Sequence, residues 1–170
     1  KQDSRYQKIV LTQDWKRRDL RLFIDGHIQF SEQDEHRYHE MLVHPILGYG
    51  RPPERILVLG GGDGLAVREI LKHPQISEID VVDIDPAITE LGTAFAPLVA
   101  LNQGALDDPR VRIANEDAFV FINRPGKLYD RVIIDMPDPH NEALAKLYSK
   151  EFYTMISRRL ARDGALVTQS

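Results

Sequence analysis

The chain contains no cysteine and a single tryptophan in 170 residues. Without thiols there are no disulfides and no thiolate metal sites, and the composition suits a reducing cytoplasm, the compartment expected for it. No apolar run approaches the roughly 20 residues that a membrane-spanning helix needs, and the start carries no signal-peptide pattern. Basic runs are short as well. The longest is Lys16-Arg17-Arg18 and the net charge is −4, which argues against a nucleic-acid backbone as main partner. A slight acidic excess suits a cationic ligand better. Internal repeats and low-complexity segments are missing too. What remains is an ordinary globular composition, 42% hydrophobic and 28% charged, long enough for one domain-sized core. The first residue is Lys1 and the last segment, "ALVTQS", stops directly after an apolar run, the pattern expected of a piece of a longer protein.

Two stretches rich in β-formers open the chain, residues 6–12 "YQKIVLT" and 20–30 "LRLFIDGHIQF", and Asp25-Gly26 is a hairpin turn signal. "SEQDEHRYHEMLVHP" reads as a helix in which Ser31 and Asp34 resemble a capping box, Met41 and Leu42 sit near the apolar face, and Pro45 closes the element. "GYGRPPE" (48–54) is the one linker-like stretch. Residues 1–48 are therefore expected to form an N-terminal β-hairpin and helix unit, and residues 49–170 a second domain. From Arg55 onward, short apolar strands alternate with helical segments. The strands are "ILVLG", "EIDVVDID", "VRIANED", "RVIIDMPD" and "ALVTQ"; the helices cover about 64–73, 86–100, 117–123 and 144–161. Continuous apolar strands separated by helices imply a mostly parallel sheet covered on both faces, hence a doubly wound, Rossmann-like α/β domain.

In such sheets ligands bind beyond the carboxyl ends of the strands. The strand ends here share one feature. The first leads to Asp63, the second to Asp83, the third to Asp117, and the fourth to Asp135 with Asp138 just beyond. Any one aspartate is as easily a helix cap, and Asp85 before Pro86 is assigned to that use. Four together point to a cationic or hydroxyl-rich ligand. Gly60, Gly62 and Gly64 fit a G-x-G-x-x loop loosely, with Val67 where the final glycine would stand, and Asp83 lies where a ribose-binding acid is expected. Asp63 would face a pyrophosphate with no cation nearby, which argues against a dinucleotide. No Gly-Lys-Ser/Thr follows, so this is not a phosphate-binding P-loop. A nucleoside that is positive and free of phosphate fits better, and sulfonium cofactors of the S-adenosyl type are such ligands. Asp83 would take the ribose, Asp117 the adenine amino group, and Asp63 the cationic tail.

With these residues assembled, the sequence resembles the polyamine aminopropyltransferases, the spermidine synthase family. The matching stretches are "YQKIVL", "LFIDGHIQFSEQDEHRYHEML", "VLGGGDGLAVREILKHP", "VVDIDP", "DPRVRIANEDAF", "YDRVIIDMPDP" and "LYSKEFY", in order along essentially the whole chain. "DMPDPHNEALAKLY" is similar to the long, membrane-anchored branch, which implies a soluble domain of a larger parent. The family moves an aminopropyl group from decarboxylated S-adenosylmethionine, a co-substrate rather than a bound prosthetic group, to an amine such as putrescine. The resemblance implies that Gln7, Asp83, Asp117 and Ala118 contact the nucleoside thioether, beside Gly60 and Gly62. Tyr38, His39, Asp63 and Asp138 would surround the amine and aminopropyl chain, Gln169 would line the amine site, and Asp135 would accept the proton. A homo-oligomer is also implied. Met136 and Pro137 stand where the family usually has small polar residues, Glu142 stands where many members have a proline touching the thioether, and Asp83 stands where glutamate is commoner.

Other chemistries fit less well. S-adenosylmethionine methyltransferases share the expected fold but typically carry an acid two residues before the first loop glycine, where this chain has Val58. A ligand-binding domain without turnover would keep the fold and lose the reaction. A zinc site at His36, His39, Glu40 and His44 is disfavoured because His39 and His44, five residues apart, point about 140° away from each other around a helix. Trp15 reads as a packing residue of a loop, Tyr148, Phe152 and Tyr153 as helix core or pocket, and Arg158, Arg159 and Arg162 as a solvated helix end.

Overall fold

The computed structural model describes all residues except 15, 17, 18, 138–144 and 170; the readings for Trp15 and Asp138 fall outside the described residues. Four strands open the chain: β1 (Gln2–Asp3), β2 (Lys8–Asp14), β3 (Asp19–Ile24) and β4 (His27–Ser31), antiparallel in that order. Asp25 and Gly26 form the two-residue turn between β3 and β4, both with positive φ (50° and 88°), as a primed hairpin turn requires. Helix α1 (Glu35–Leu47) follows. Ser31 is not its cap: Ser31 ends β4 and donates to Asp19 Oδ1 at 2.7 Å, while Asp34 occupies the cap position without a side-chain bond. Pro45 lies inside α1 rather than ending it. The amide it lacks falls in the last turn, where Gly48 N–H still closes on the His44 carbonyl. Leu42 is buried as expected, but Met41 is exposed.

The second sheet has five parallel strands, β5 (Arg55–Gly60), β6 (Glu78–Val82), β7 (Val111–Ala114), β8 (Tyr129–Asp135) and β9 (Leu160–Thr168), in the order β7-β6-β5-β8-β9. Alternate residues of the central strands feed opposite layers. Ile56, Val58 and Ile133 pack with Leu42, Val43 and Leu47 of α1, whereas Leu57, Leu59, Val132 and Ile134 pack with Phe152 and Ile156. Burial on both faces is why these strands read as unbroken apolar runs. Helices α2 (Leu65–Leu71), α3 (Pro86–Ala94), α4 (Ala96–Asn102), α5 (Ala118–Asn123) and α6 (Lys150–Ser157) connect them. The expected single helix over 86–100 is two. Pro97 cannot continue α3, Phe95 turns extended, and the proline takes the first turn of α4. The last helix ends at Ser157, and β9 begins earlier than the apolar run suggested.

A third apolar cluster joins the two sheets' surroundings. Ile9, Leu20, Leu22, Ile24 and Phe30 of the antiparallel sheet pack on Leu65, Ala87, Ile88 and Leu98. Arg159 is buried rather than solvated: it donates to the carbonyls of Phe121, Ile122, Arg124 and Lys127 and so closes the carboxyl end of α5. Among the described residues, no helix is long and apolar enough to cross a membrane.

Candidate active site

The chain leaves β5, builds β6 and β7 on one side, then returns to place β8 on the other. The carboxyl ends of β5 and β8 therefore meet at a topological switch point, with Gly60 opposite Asp135 in the register. A cavity of about 290 Å³ opens there. Its lining includes Gln7, Tyr38, His39, Asp63, Asp83, Asp117, Ala118, Asp135 and Gln169. Gly60 and Gly62, with Gly61 between them, complete its floor. Every described candidate residue thus borders one space.

The glycine loop owes its shape to close approaches. Gly60 has φ of 82°, and a Cβ there would lie 2.0 Å from the Asp135 carbonyl oxygen. On Gly62 it would lie 2.6 Å from Asp83 Oδ2, the oxygen that accepts the Gly62 N–H at 3.0 Å. Asn102, fully buried, buckles the loop to the helices by donating from one amide nitrogen to the carbonyls of Asp63 and Gly92, each at 2.8 Å. No local sequence pattern announces that buckle.

Asp83 accepts a second amide, from Asp85, at 2.9 Å. Its pKa is nonetheless pushed up to about 6: burial raises it, the two amides oppose, and Asp63 and Asp85 add to the rise. Asp85 caps α3 by accepting from Ala87 N–H and also receives the Ser4 hydroxyl at 2.5 Å. Ser4 Oγ in turn accepts the Gln7 N–H, so the turn bearing Gln7 is tied to the end of β6. Asp117 caps a helix and also lines the cavity. One oxygen caps α5 through Phe119 N–H at 2.8 Å, while the other faces the cavity and meets Lys146 Nζ at 3.2 Å. Lys146 was not singled out from sequence, where it resembles any surface lysine.

At the opposite end of the cavity stands Asp135. Its Oδ1 lies 2.7 Å from the Tyr38 hydroxyl, which also lies 2.5 Å from Gln169 Oε1. Gln169 donates to the Met136 carbonyl, as does Tyr148, whose hydroxyl also reaches the Pro137 carbonyl. Burial, then the charge of Asp135, holds the Tyr38 phenol well above its ordinary value, so it stays a donor. His39 Nε2 lies 3.9 Å from Asp135 Oδ2. Burial alone would lower the His39 pKa, but the hydrogen bond to Glu35 and the charges of Asp135, Asp63 and Glu35 outweigh it and push it up to about 9. Asp63 accepts the Leu65 N–H at 2.9 Å. Burial and Asp135 push its carboxyl up to about 6, with His39 pulling the other way.

A second group beneath the site, apart from its member His39, escaped sequence reasoning. Glu35, His39, Arg68 and Glu69 are all buried. Arg68 grips Glu35 through two nitrogens at 2.8 and 3.0 Å and reaches Glu69 at 2.9 Å. Glu69 continues to Lys72 at 2.5 Å and to His44 at 3.0 Å. The spacing of Glu35 and His39, four residues apart, was the available signal; the tie to Arg68 has none, because it crosses between helices.

The arrangement is a Rossmann-like domain with an acidic cleft at its switch point. Comparison with known proteins places it more closely. The Spermine/spermidine synthase domain model matches residues 35–170, and the chain belongs to that family. It is 47% identical over 169 residues to a polyamine aminopropyltransferase of Oceanobacillus iheyensis, covering 99% of this chain and 33% of that protein. It is also 49% identical over 170 residues to polyamine aminopropyltransferase 1 of Streptomyces coelicolor, covering 98% and 32%. The chain thus spans about a third of the length of these relatives. Among solved structures, a spermidine synthase in complex with the transition-state analogue AdoDATO superposes with a TM-score of 0.89 at 29% identity, covering 98% of this chain and 56% of that one. Spermidine synthase from Thermotoga maritima gives 0.87 at 29% identity, covering 98% and 55%.

Proposed function

We propose that the protein this chain belongs to transfers an aminopropyl group from decarboxylated S-adenosylmethionine to a di- or polyamine such as putrescine, giving spermidine and methylthioadenosine. The observation that carries this reading is the gathering of Asp63, Asp83, Asp117 and Asp135 around one cavity, together with the family to which the chain belongs.

The residues divide by position. Asp83 and Asp117 stand at the β6 and β7 ends, suited to ribose hydroxyls and the adenine amino group, with Gln7 and Ala118 beside them. Asp63, Tyr38, His39, Asp135 and Gln169 ring the other end. An alkylamine with the lysine pKa of about 10.4 is almost wholly protonated at neutral pH and has no lone pair to donate. Asp135 would hold the attacking nitrogen and accept its proton while the nitrogen lone pair forms the new C–N bond. The C–S pair leaves with sulfur, which becomes a neutral thioether and needs no acid. Tyr38, held protonated, fixes the Asp135 carboxylate for this. Clustered carboxylates disfavour a cofactor that still carries its own carboxylate, which selects the decarboxylated form. Methyl transfer finds no support at Val58, which is fully buried in β5.

Calorimetry with four ligands tests the reading in the full-length protein. Methylthioadenosine and decarboxylated S-adenosylmethionine should bind more tightly than S-adenosylmethionine or NAD, and an amine screen should release methylthioadenosine. Equal or reversed preference sinks it.

A further inference from the structure

The hydrogen bonds of His39 fix which of its nitrogens faces the site. Nδ1 lies 2.8 Å from the Glu35 backbone carbonyl and 2.9 Å from Glu35 Oε2. A carbonyl oxygen only accepts, so Nδ1 carries a hydrogen. The remaining nitrogen, Nε2, is then aimed at Asp135. Glu35 cannot swing away to release the ring, because Arg68 grips both its oxygens and is itself held by Glu69 and by the Leu101 carbonyl. All four side chains are more than nine-tenths buried. Nothing in the reaction outlined above uses Glu35 or Arg68.

We propose that Glu35, clamped by Arg68, is a positioning residue that holds the His39 ring with Nε2–H turned onto Asp135, so that a cation rather than a neutral ring borders the attacking amine. The groups facing that ring are Glu35 and Tyr38 from α1, Asp63 from the loop after β5, and Asp135 from β8, with Tyr38 edge-on at 4.8 Å between ring centres. Three carboxylates surround it and favour the imidazolium. Arg68 balances Glu35, so the imidazolium charge is left to act inside the cavity. A fixed positive charge beside a bound ammonium disfavours that ammonium and enlarges the fraction of neutral, nucleophilic amine. Each unit by which the amine pKa falls is about a tenfold gain in that fraction. The inference rests on the aminopropyl-transfer reading for what the ring faces, while the ring's orientation and charge stand apart from it.

Two measurements on the full-length protein test it separately. Histidine-labelled NMR, assigned with His39→Gln, should show His39 protonated on both nitrogens at neutral pH; a neutral ring, or hydrogen on Nε2 alone, overturns the proposal whatever the reaction. In kinetics, Glu35→Gln should lower kcat about tenfold or more with the amine KM unchanged or reduced. The acid limb of its pH profile should move to higher pH, since the amine then deprotonates later, and Glu35→Asp should recover part of the loss. In a His39→Gln background, Glu35→Gln should cost nothing further. An equal loss there, or a rise in KM alone, overturns it. Should Glu35→Gln misfold, the wild-type spectrum still decides. Absence of methylthioadenosine release from wild type with every amine tried overturns the reaction reading and leaves the spectrum to judge the ring.

Discussion

Replacing Asp63 with asparagine should make the ligand-free protein more stable while weakening its hold on a cationic cofactor. The carboxyl sits at about 6 rather than the ordinary 3.8, raised by burial and by Asp135 against the pull of His39. A carboxyl whose pKa is higher folded than unfolded costs folding free energy once ionised. The cost is absent below about pH 4 and complete above about pH 6. The gap corresponds to a ceiling of about 3 kcal/mol. Part of it is repulsion shared with Asp135, so about 1–2 kcal/mol is expected back in Asp63→Asn at pH 7.5. The asparagine carbonyl oxygen still accepts the Leu65 amide, so that hydrogen bond is kept. Urea unfolding followed by circular dichroism at pH 7.5 and pH 4.5 reads the effect. The gain should be full at the higher pH and shrink to about a third of that at the lower, where the folded carboxyl is mostly protonated. A variant less stable than wild type at pH 7.5, or a gain of equal size at both pH values, would refute the electrostatic reasoning.

Two further outcomes follow from the geometry. Asp135→Asn should reduce kcat by roughly 10²–10⁴, the range for a lost general base, while methylthioadenosine affinity by calorimetry stays within about threefold; loss of both would make Asp135 a structural residue. Gly62→Ala should push the Asp83 carboxylate off its amide contacts, because the added carbon meets Oδ2 at 2.6 Å, and nucleoside affinity should fall by about tenfold or more. Unchanged affinity would mean that Asp83 does not bind the nucleoside.

The parallel sheet was legible because strands buried on both faces cannot hide: Ile56 to Leu59 and Val132 to Ile134 are apolar without interruption. The acids at the strand ends followed from the same pattern, since a chain leaving a parallel strand must pass the ligand edge. What stayed hidden depends on contacts between elements. Glu35 and Arg68 look like the charged faces of two surface helices until α1 lies against α2 and buries both. Asn102 looks like a helix end, and its grip on the glycine loop exists only once α4 folds back. Arg159 reads as one of several exposed arginines, yet its side chain turns inward to carbonyls that no local pattern announces. Pro45 misled because a proline this near the carboxyl end removes only the bond to the carbonyl four residues back, and the helix can finish its last turn past it.

The Tyr38 hydroxyl has one hydrogen and two acceptors within reach, Asp135 Oδ1 and Gln169 Oε1. One of the two hydrogens on the Gln169 amide nitrogen goes to the Met136 carbonyl. The single tyrosine hydrogen cannot satisfy both acceptors at once, a shortage distinct from the negative charge of Asp135. A charge is answered by any cation of suitable size, whereas a surplus of lone pairs is answered only by N–H or O–H groups. A fully methylated ammonium carries the same charge as an alkylammonium and brings no hydrogen at all. On the aminopropyl-transfer reading, such a site would distinguish amines by how many hydrogens they offer, a form of selection that begins before any bond is made or broken.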